Sequence, residues 1–257
     1  MKHDGDINIE RLFVGSPGLD KDIYRSKVRY KQKYNWRILY KYSDILISCD
    51  TDVSPRLEKL IREIYCLLGT RIKEDPAFQK SLSPLKSKPG YHPVIREMYH
   101  KTAIFNVGPM AAVAGAVCDY MANDLGSCCR RLIIENGGDV FIKSDEDTDV
   151  GVYLNNKYFT DKIYLKVKAG DTPCGLCSSS GSFGHSLSMG KSDLVVVMAK
   201  STIAADGAAT SIANNINSAQ DIFKTINNYK SIKDITGILI IKDDKLGIWG
   251  NIELTKS

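Results

Sequence analysis

Between residues 8 and 50, apolar and polar positions alternate in short runs rich in Val, Ile, Tyr and Phe, the period of half-buried strands. Turn-like breaks at Gly15, Gly18, Asn35 and Ser43 predict a β-meander. The period then changes. Residues 50–54 supply capping side chains, Pro55 suits a first helical turn, and Leu57, Leu60, Ile61, Ile64, Leu67 and Leu68 fall on one helical face ending near Gly69. Residues 75–93 form a connector rich in Pro, Ser, Lys and Gly, and a short helix follows over 94–101. Residues 107–125 (VGPMAAVAGAVCDYMANDL) predict a central buried helix whose small side chains admit a close backbone neighbour.

Further on, strands are expected at 132–135 and 140–143 around Asn136-Gly137-Gly138-Asp139, and at 150–154, 163–167 and 194–199. Helices are expected over 203–216 and 219–229, with a closing hairpin of 237–242 and 247–254 about Asp243-Asp244. Helices and strands in mixed order, with hairpins at both ends, argue for an α+β fold of mostly antiparallel sheets.

Composition adds bounds. A chain of 257 residues with 43% hydrophobic and 25% charged residues is an ordinary globule with ample core, expected as a single unit with two lobes allowed around one site. The net charge of +5 is slight, and much of the basic surplus lies in residues 21–41, interleaved with tyrosines. That pattern suits the outer face of a hairpin, and nucleic-acid binding through it ranks last among the readings. The start carries no apolar leader, and the apolar run 107–118 is too short to span a bilayer, so no membrane role is expected. That run could instead serve a core or a homo-oligomer interface. The seven cysteines include the adjacent Cys128 and Cys129, and they read as reduced thiols of a cytoplasmic protein.

Candidate chemistry concentrates in residues 174–214. Asp206 and Thr210, four apart on a helix, present two hard oxygens that suit Mg²⁺, or else a capping carboxylate and a back-bonded hydroxyl. Ser178, Ser179, Ser180 and Gly181 open a serine-glycine stretch able to turn hydroxyls and N–H groups toward an anion. Residues 184–192 come close to a Walker loop, but they carry one residue too many between the glycines and lead into a strand. Cys174 and Cys177 form a lone C-x-x-C, so a zinc site would need further ligands, whereas Cys177 beside the serines and His185 could act as a nucleophile or persulfide carrier. Gly137-Gly138 permits a plain hairpin turn or close approach to a ligand.

Four passages together, at 75–85, 107–116, 135–140 (ENGGDV) and 177–210, resemble the ApbE superfamily of Mg²⁺-dependent flavin transferases, which move FMN from FAD onto a protein threonine. They are most similar to its shorter branch of unknown function in archaea and bacteria. The resemblance implies an ApbE-like, T-fold-related α+β structure with antiparallel sheet and central helices. It implies metal binding by Asp206 and Thr210, approach to a flavin nucleotide by Gly137, Gly138 and Asp139, and a Ser-Gly loop at Ser179-Ser180-Gly181. The family's lysine in the small-residue helix has no counterpart among residues 109–115, and His185 mirrors the family histidine only loosely. A Mg²⁺-assisted enzyme, a transferase on this resemblance, acting on FAD, another nucleotide or a small phosphate-bearing ligand is therefore the first expectation, with His185 as acid or base. Sulfur transfer through Cys177, resolved by Cys174, and a non-catalytic ligand-binding module are the alternatives.

Overall fold

The computed structural model describes residues 7–12, 32–152, 154, 156–159, 163–180 and 190–255. The meander is formed by β1 (Asn8–Leu12), β2 (Tyr34–Tyr40) and β3 (Ser43–Cys49). Asn35 lies inside β2, where its side chain accepts from Ser48 Oγ at 2.7 Å, and Ser43 begins β3, so neither breaks a strand. Most of the basic 21–41 segment lies outside the described residues.

Helix α1 (Ser54–Glu74) starts with Pro55 in its first turn and runs well past Gly69. A Cβ at Gly69 would meet nothing, and Arg71 is buried further along, so packing carries the helix through the expected stop. The connector holds a short helix α2 (Ala77–Lys80), and α3 (Pro93–Ile104) is longer than expected. His92 caps α3, its Nδ1 accepting from the Val94 N–H at 3.4 Å. A 3₁₀ turn, Pro109–Ala112, leads into α4 (Val113–Leu125).

The remaining elements are β4 (Leu132–Asn136), β5 (Asp139–Lys143), β6 (Thr148–Val152), β7 (Ile163–Val167), β8 (Cys174–Ser179), β9 (Leu194–Ala199), α5 (Thr202–Asn214), α6 (Asp221–Tyr229), β10 (Ile235–Lys242), β11 (Lys245–Gly250) and β12 (Glu253–Thr255). Nine strands pair antiparallel in the order β1-β2-β3-β4-β5-β8-β9-β10-β11, and a smaller sheet runs β12-β7-β6. This is the expected α+β class. The closing segment 247–254 is two strands in two sheets, because Gly250 turns the chain at φ +78°.

Helices α4 and α5 lie over the middle of the large sheet. One core joins β2–β4 to α1, α3 and α4, and a second packs Val195, Val197 and Ile240 under α5. On the opposite face, Leu194, Val196 and Met198 pack against Leu165 and Val167 of the small sheet. Strand β9 is covered on both sides, which is why it reads as an unbroken apolar run. Among the described residues no single helix is long and apolar enough to cross a membrane.

Candidate functional site

The Asn136-Gly137-Gly138-Asp139 segment is a two-residue hairpin turn joining β4 to β5, with φ +67° at Gly137 and +102° at Gly138. Both angles lie in the left-handed region that glycine tolerates. The Gly138 N–H donates to Glu135 Oε1 at 3.0 Å, and the Gly138 carbonyl accepts from both the N–H and the Oγ of Ser178 at 3.3 Å. A Cβ on Gly138 would sit 2.9 Å from Ser178 Oγ, so the turn and the end of β8 are fitted to each other.

Strand pairing sets Asp139 opposite Cys177. Asp139 is buried and its Oδ1 has no hydrogen-bond partner. Burial, then the negative charge of Asp206, pushes the Asp139 carboxyl well up from its ordinary range, and hydrogen bonding from the Cys177 thiol offsets part of this. Two thiols flank this acid. Cys118 Sγ donates to the Asp139 carbonyl and Cys177 Sγ to the Thr202 carbonyl, each at 3.5 Å. Burial followed by the neighbouring carboxylates raises both thiols well above the usual value.

Helix α5 brings the remaining groups. The Asp206 carboxylate accepts from the Gly115 N–H of α4 at 2.9 Å, and burial raises its carboxyl to about 7 despite that bond. One turn on, the Oγ1 of the buried Thr210 donates to the Ala111 carbonyl at a long 3.5 Å. Asp206 thus holds α4, not its own helix, and Thr210 reaches the 3₁₀ turn before α4. The two helices run antiparallel and very close: a Cβ on Gly115 would lie 2.5 Å from the Thr202 carbonyl and 3.0 Å from Asp206 Cβ.

The structure therefore gathers Gly137, Gly138, Asp139, Cys177, Ser178, Asp206 and Thr210 around one end of the α4–α5 seam. Ser179 is buried and Ser180 half-buried where β8 ends. Gly181 and His185 lie outside the described residues. Cys174 faces the small-sheet core, the opposite side of β8 from Cys177. Among the described residues no three His, Cys, Asp or Glu side chains converge as a metal-holding group. The hard oxygens available to a cation are the Asp206 carboxylate, the Thr210 hydroxyl and the Ala111 carbonyl.

Ala111, Cys118 and Asp119 went unremarked in the sequence. Asp119 carried a signal: it is the first charged residue in the apolar stretch 107–125. Its two carboxylate oxygens accept from the N–H groups of Thr202 at 3.0 Å and Ile203 at 2.9 Å, at the start of α5. A cleft of about 470 Å³ opens beside it, with Phe141, Lys143, Pro173, Lys200 and Ser201 in its walls.

A nine-stranded antiparallel sheet carrying two closely apposed central helices over a Gly-Gly-Asp turn defines a protein of the ApbE-like class. The flavin transferase ApbE of Vibrio cholerae superposes with a TM-score of 0.53, covering 84% of this chain and 96% of that one, at 12% identity, a likeness of fold. The family model described as "AbpE bacteria" matches residues 26–235, and the chain belongs to that family. A UPF0280 protein of Methanocaldococcus jannaschii is 35% identical over 229 residues, covering 86% of this chain and 93% of the relative. A UPF0280 protein of Methanobrevibacter smithii is 37% identical over 204 residues, covering 76% and 85%.

Proposed function

We propose that this protein binds a flavin dinucleotide, or a nucleotide of similar phosphate chemistry, with the help of a divalent cation, and that its activity belongs to the group-transfer class. One observation carries the reading. The buried Asp139, its Oδ1 without a partner, lies in the field of the half-buried Asp206, beside a glycine turn and the serine end of β8. Buried acids left with spare oxygen are costly in an apolar interior, and they cluster where a ligand supplies the missing charge.

The residues fit a hard divalent cation. Asp206, Thr210 and the Ala111 carbonyl would hold it, with water and phosphate oxygens completing the shell. Mg²⁺ bound there supplies positive charge that polarises a phosphoryl oxygen. The chain's own groups do the rest. The Gly137–Gly138 backbone, bare of side chains, lets a phosphate approach; Ser178 fixes that turn through its N–H and Oγ, and the Ser179 and Ser180 end of β8 would orient the phosphate. Asp139 stays protonated until the ligand's arrival changes its field. His185, placed by the sequence beyond the serines, is retained as the candidate acid or base. The sulfur reading draws no support from Cys177, which is fully buried with its proton held tightly.

Calorimetric titration with FAD, then ATP, with and without Mg²⁺, tests this. Cation-dependent binding that Asp206→Ala removes is expected. No binding of either nucleotide with Mg²⁺ present overturns the reading. Binding without any turnover would retain the site and assign the protein to the non-catalytic ligand-binding class.

A further inference from the structure

We infer that Asp119, bonded to the first turn of α5, is a positioning residue that sets the cation-holding face of α5, an inference that rests on the proposed cation site. The argument begins with what each helix gives the other. Asp206 of α5 accepts from the Gly115 N–H in the first turn of α4. Asp119 of α4 accepts from the Thr202 and Ile203 N–H groups in the first turn of α5. The exchange is reciprocal, with each helix start held by a carboxylate from its antiparallel neighbour.

A local cap would not have this consequence. Helix α5 already has one: Ser201 Oγ accepts from the Ala204 N–H at 3.2 Å. Asp119 therefore does more than satisfy a helix end. It fastens α5 to α4 through a pair of charge-assisted bonds with well-defined direction. Thr202 is also seated by packing, because a Cβ on Gly175 would lie 2.5 Å from its Cα and one on Gly115 2.5 Å from its carbonyl oxygen. The first turn of α5 is thus held on two sides, by α4 through Gly115 and Asp119, and by β8 through Gly175. Asp206 stands one turn beyond and Thr210 two. Their oxygens can meet Ala111 of the preceding 3₁₀ turn only if α5 keeps its height and rotation against α4. A rise of 1.5 Å and a rotation of about 100° per residue mean that a one-residue slip carries Thr210 off that face.

The test uses Mn²⁺ alone as the probe, read by loss of the free-ion electron paramagnetic resonance signal, on the full chain and the variants Asp119→Asn, Asp119→Ala and Gly175→Ala. Circular dichroism and thermal unfolding run beside it, so affinity is read on folded protein. Asn keeps one acceptor for the two N–H groups and Ala keeps none. The expected order of Mn²⁺ affinity is wild type, then Asp119→Asn, then Asp119→Ala, with the last at least tenfold weaker. Gly175→Ala, which disturbs the same turn without touching a carboxylate, should weaken Mn²⁺ binding as well. If folded Asp119→Asn and Asp119→Ala bind Mn²⁺ as the wild type does while melting earlier, Asp119 is only a structural cap and this inference is overturned alone. If the wild type itself takes up no Mn²⁺, the cation site falls and this inference falls with it. Should Asp119→Ala fail to fold, Asp119→Asn decides the matter in the same way.

Discussion

The two ends of the α4–α5 seam hold the same chemistry in opposite conditions. At one end the half-buried Asp119 has a backbone N–H on each oxygen. At the other, the half-buried Asp206 has Gly115 as its donor, and the buried Asp139 beside it keeps one oxygen unbonded. Burial raises all three acids and a neighbouring carboxylate adds to each, Glu97 at Asp119, Asp119 at Asp206 and Asp206 at Asp139, but the two backbone N–H groups on Asp119 offset the rise there. A carboxylate with its bonds filled is architecture. A buried one with an oxygen to spare, in the field of a second, is an incomplete arrangement, the one that the proposed cation and phosphate would complete.

The largest effect expected is at the packed end. Gly175→Ala places a methyl 2.5 Å from the Thr202 backbone, which cannot swing aside like a flexible side chain. The loss should be upwards of about 3 kcal/mol, read by urea unfolding. A loss below about 1 kcal/mol would mean the helix is not seated as described.

Next comes pH, which should distinguish the open end. The folded protein holds a proton on Asp206 up to about 7, whereas the ordinary value is 3.8. Between those values the native state binds more protons than the unfolded one, so the metal-free protein loses stability as pH rises from about 4 to above 7. The loss is roughly 2 kcal/mol, discounted for coupling to Asp139. Asp206→Asn should flatten the slope. The same proton must leave before a cation binds, so Mg²⁺ affinity should climb with pH through neutrality and offset the loss above it. A slope unchanged in Asp206→Asn would assign the titration elsewhere.

How far these ends were legible in the sequence follows from the reach of each signal. Strand β9 and helix α5 stood out because their apolar patterns are local. Strand β8 did not: Cys, Gly and Ser are poor strand formers, and Gly175 is there because α5 presses against it, a fact held 27 residues away at Thr202. Asp206 and Thr210 were visible as an i, i+4 pair, yet their partners lie on α4 and on the 3₁₀ turn before it, outside any helical window. Asp119 was hidden for the same reason, its donors standing 83 and 84 residues on. The Gly-Gly-Asp turn was visible as a hairpin, but which of its atoms meet Ser178 depends on pairing between β5 and β8, which no local period encodes.

A smaller effect is expected from Asp139→Asn. Burial and Asp206 push the Asp139 carboxyl well up from its ordinary range, so a neutral amide of the same shape suits the site better than it would an ordinary carboxylate's. Stability at pH 7 without cation should change by less than about 1 kcal/mol. Cation-dependent nucleotide binding should nonetheless weaken about tenfold, since the amide cannot become the carboxylate that the completed site requires. Equal loss of both would return Asp139 to the architecture.

The smallest effect is an expected absence of reaction, and it separates the open end from sulfur chemistry. Cys66 and Cys128 are exposed, whereas Cys118 and Cys177 are buried beside the two acids with their protons held more tightly than usual. The thiolate is the reactive form, so both low access and raised proton affinity oppose alkylation. Iodoacetamide on the native protein, followed by peptide mass mapping, should label Cys66 and Cys128 and spare Cys118 and Cys177 until denaturant is added. Rapid native labelling of Cys177 would mean that the seam opens around it, and the nucleophile reading would regain its footing. Protection leaves Cys177 as a weak donor to the Thr202 carbonyl, with the carboxylates beside it as the groups proposed to meet a ligand.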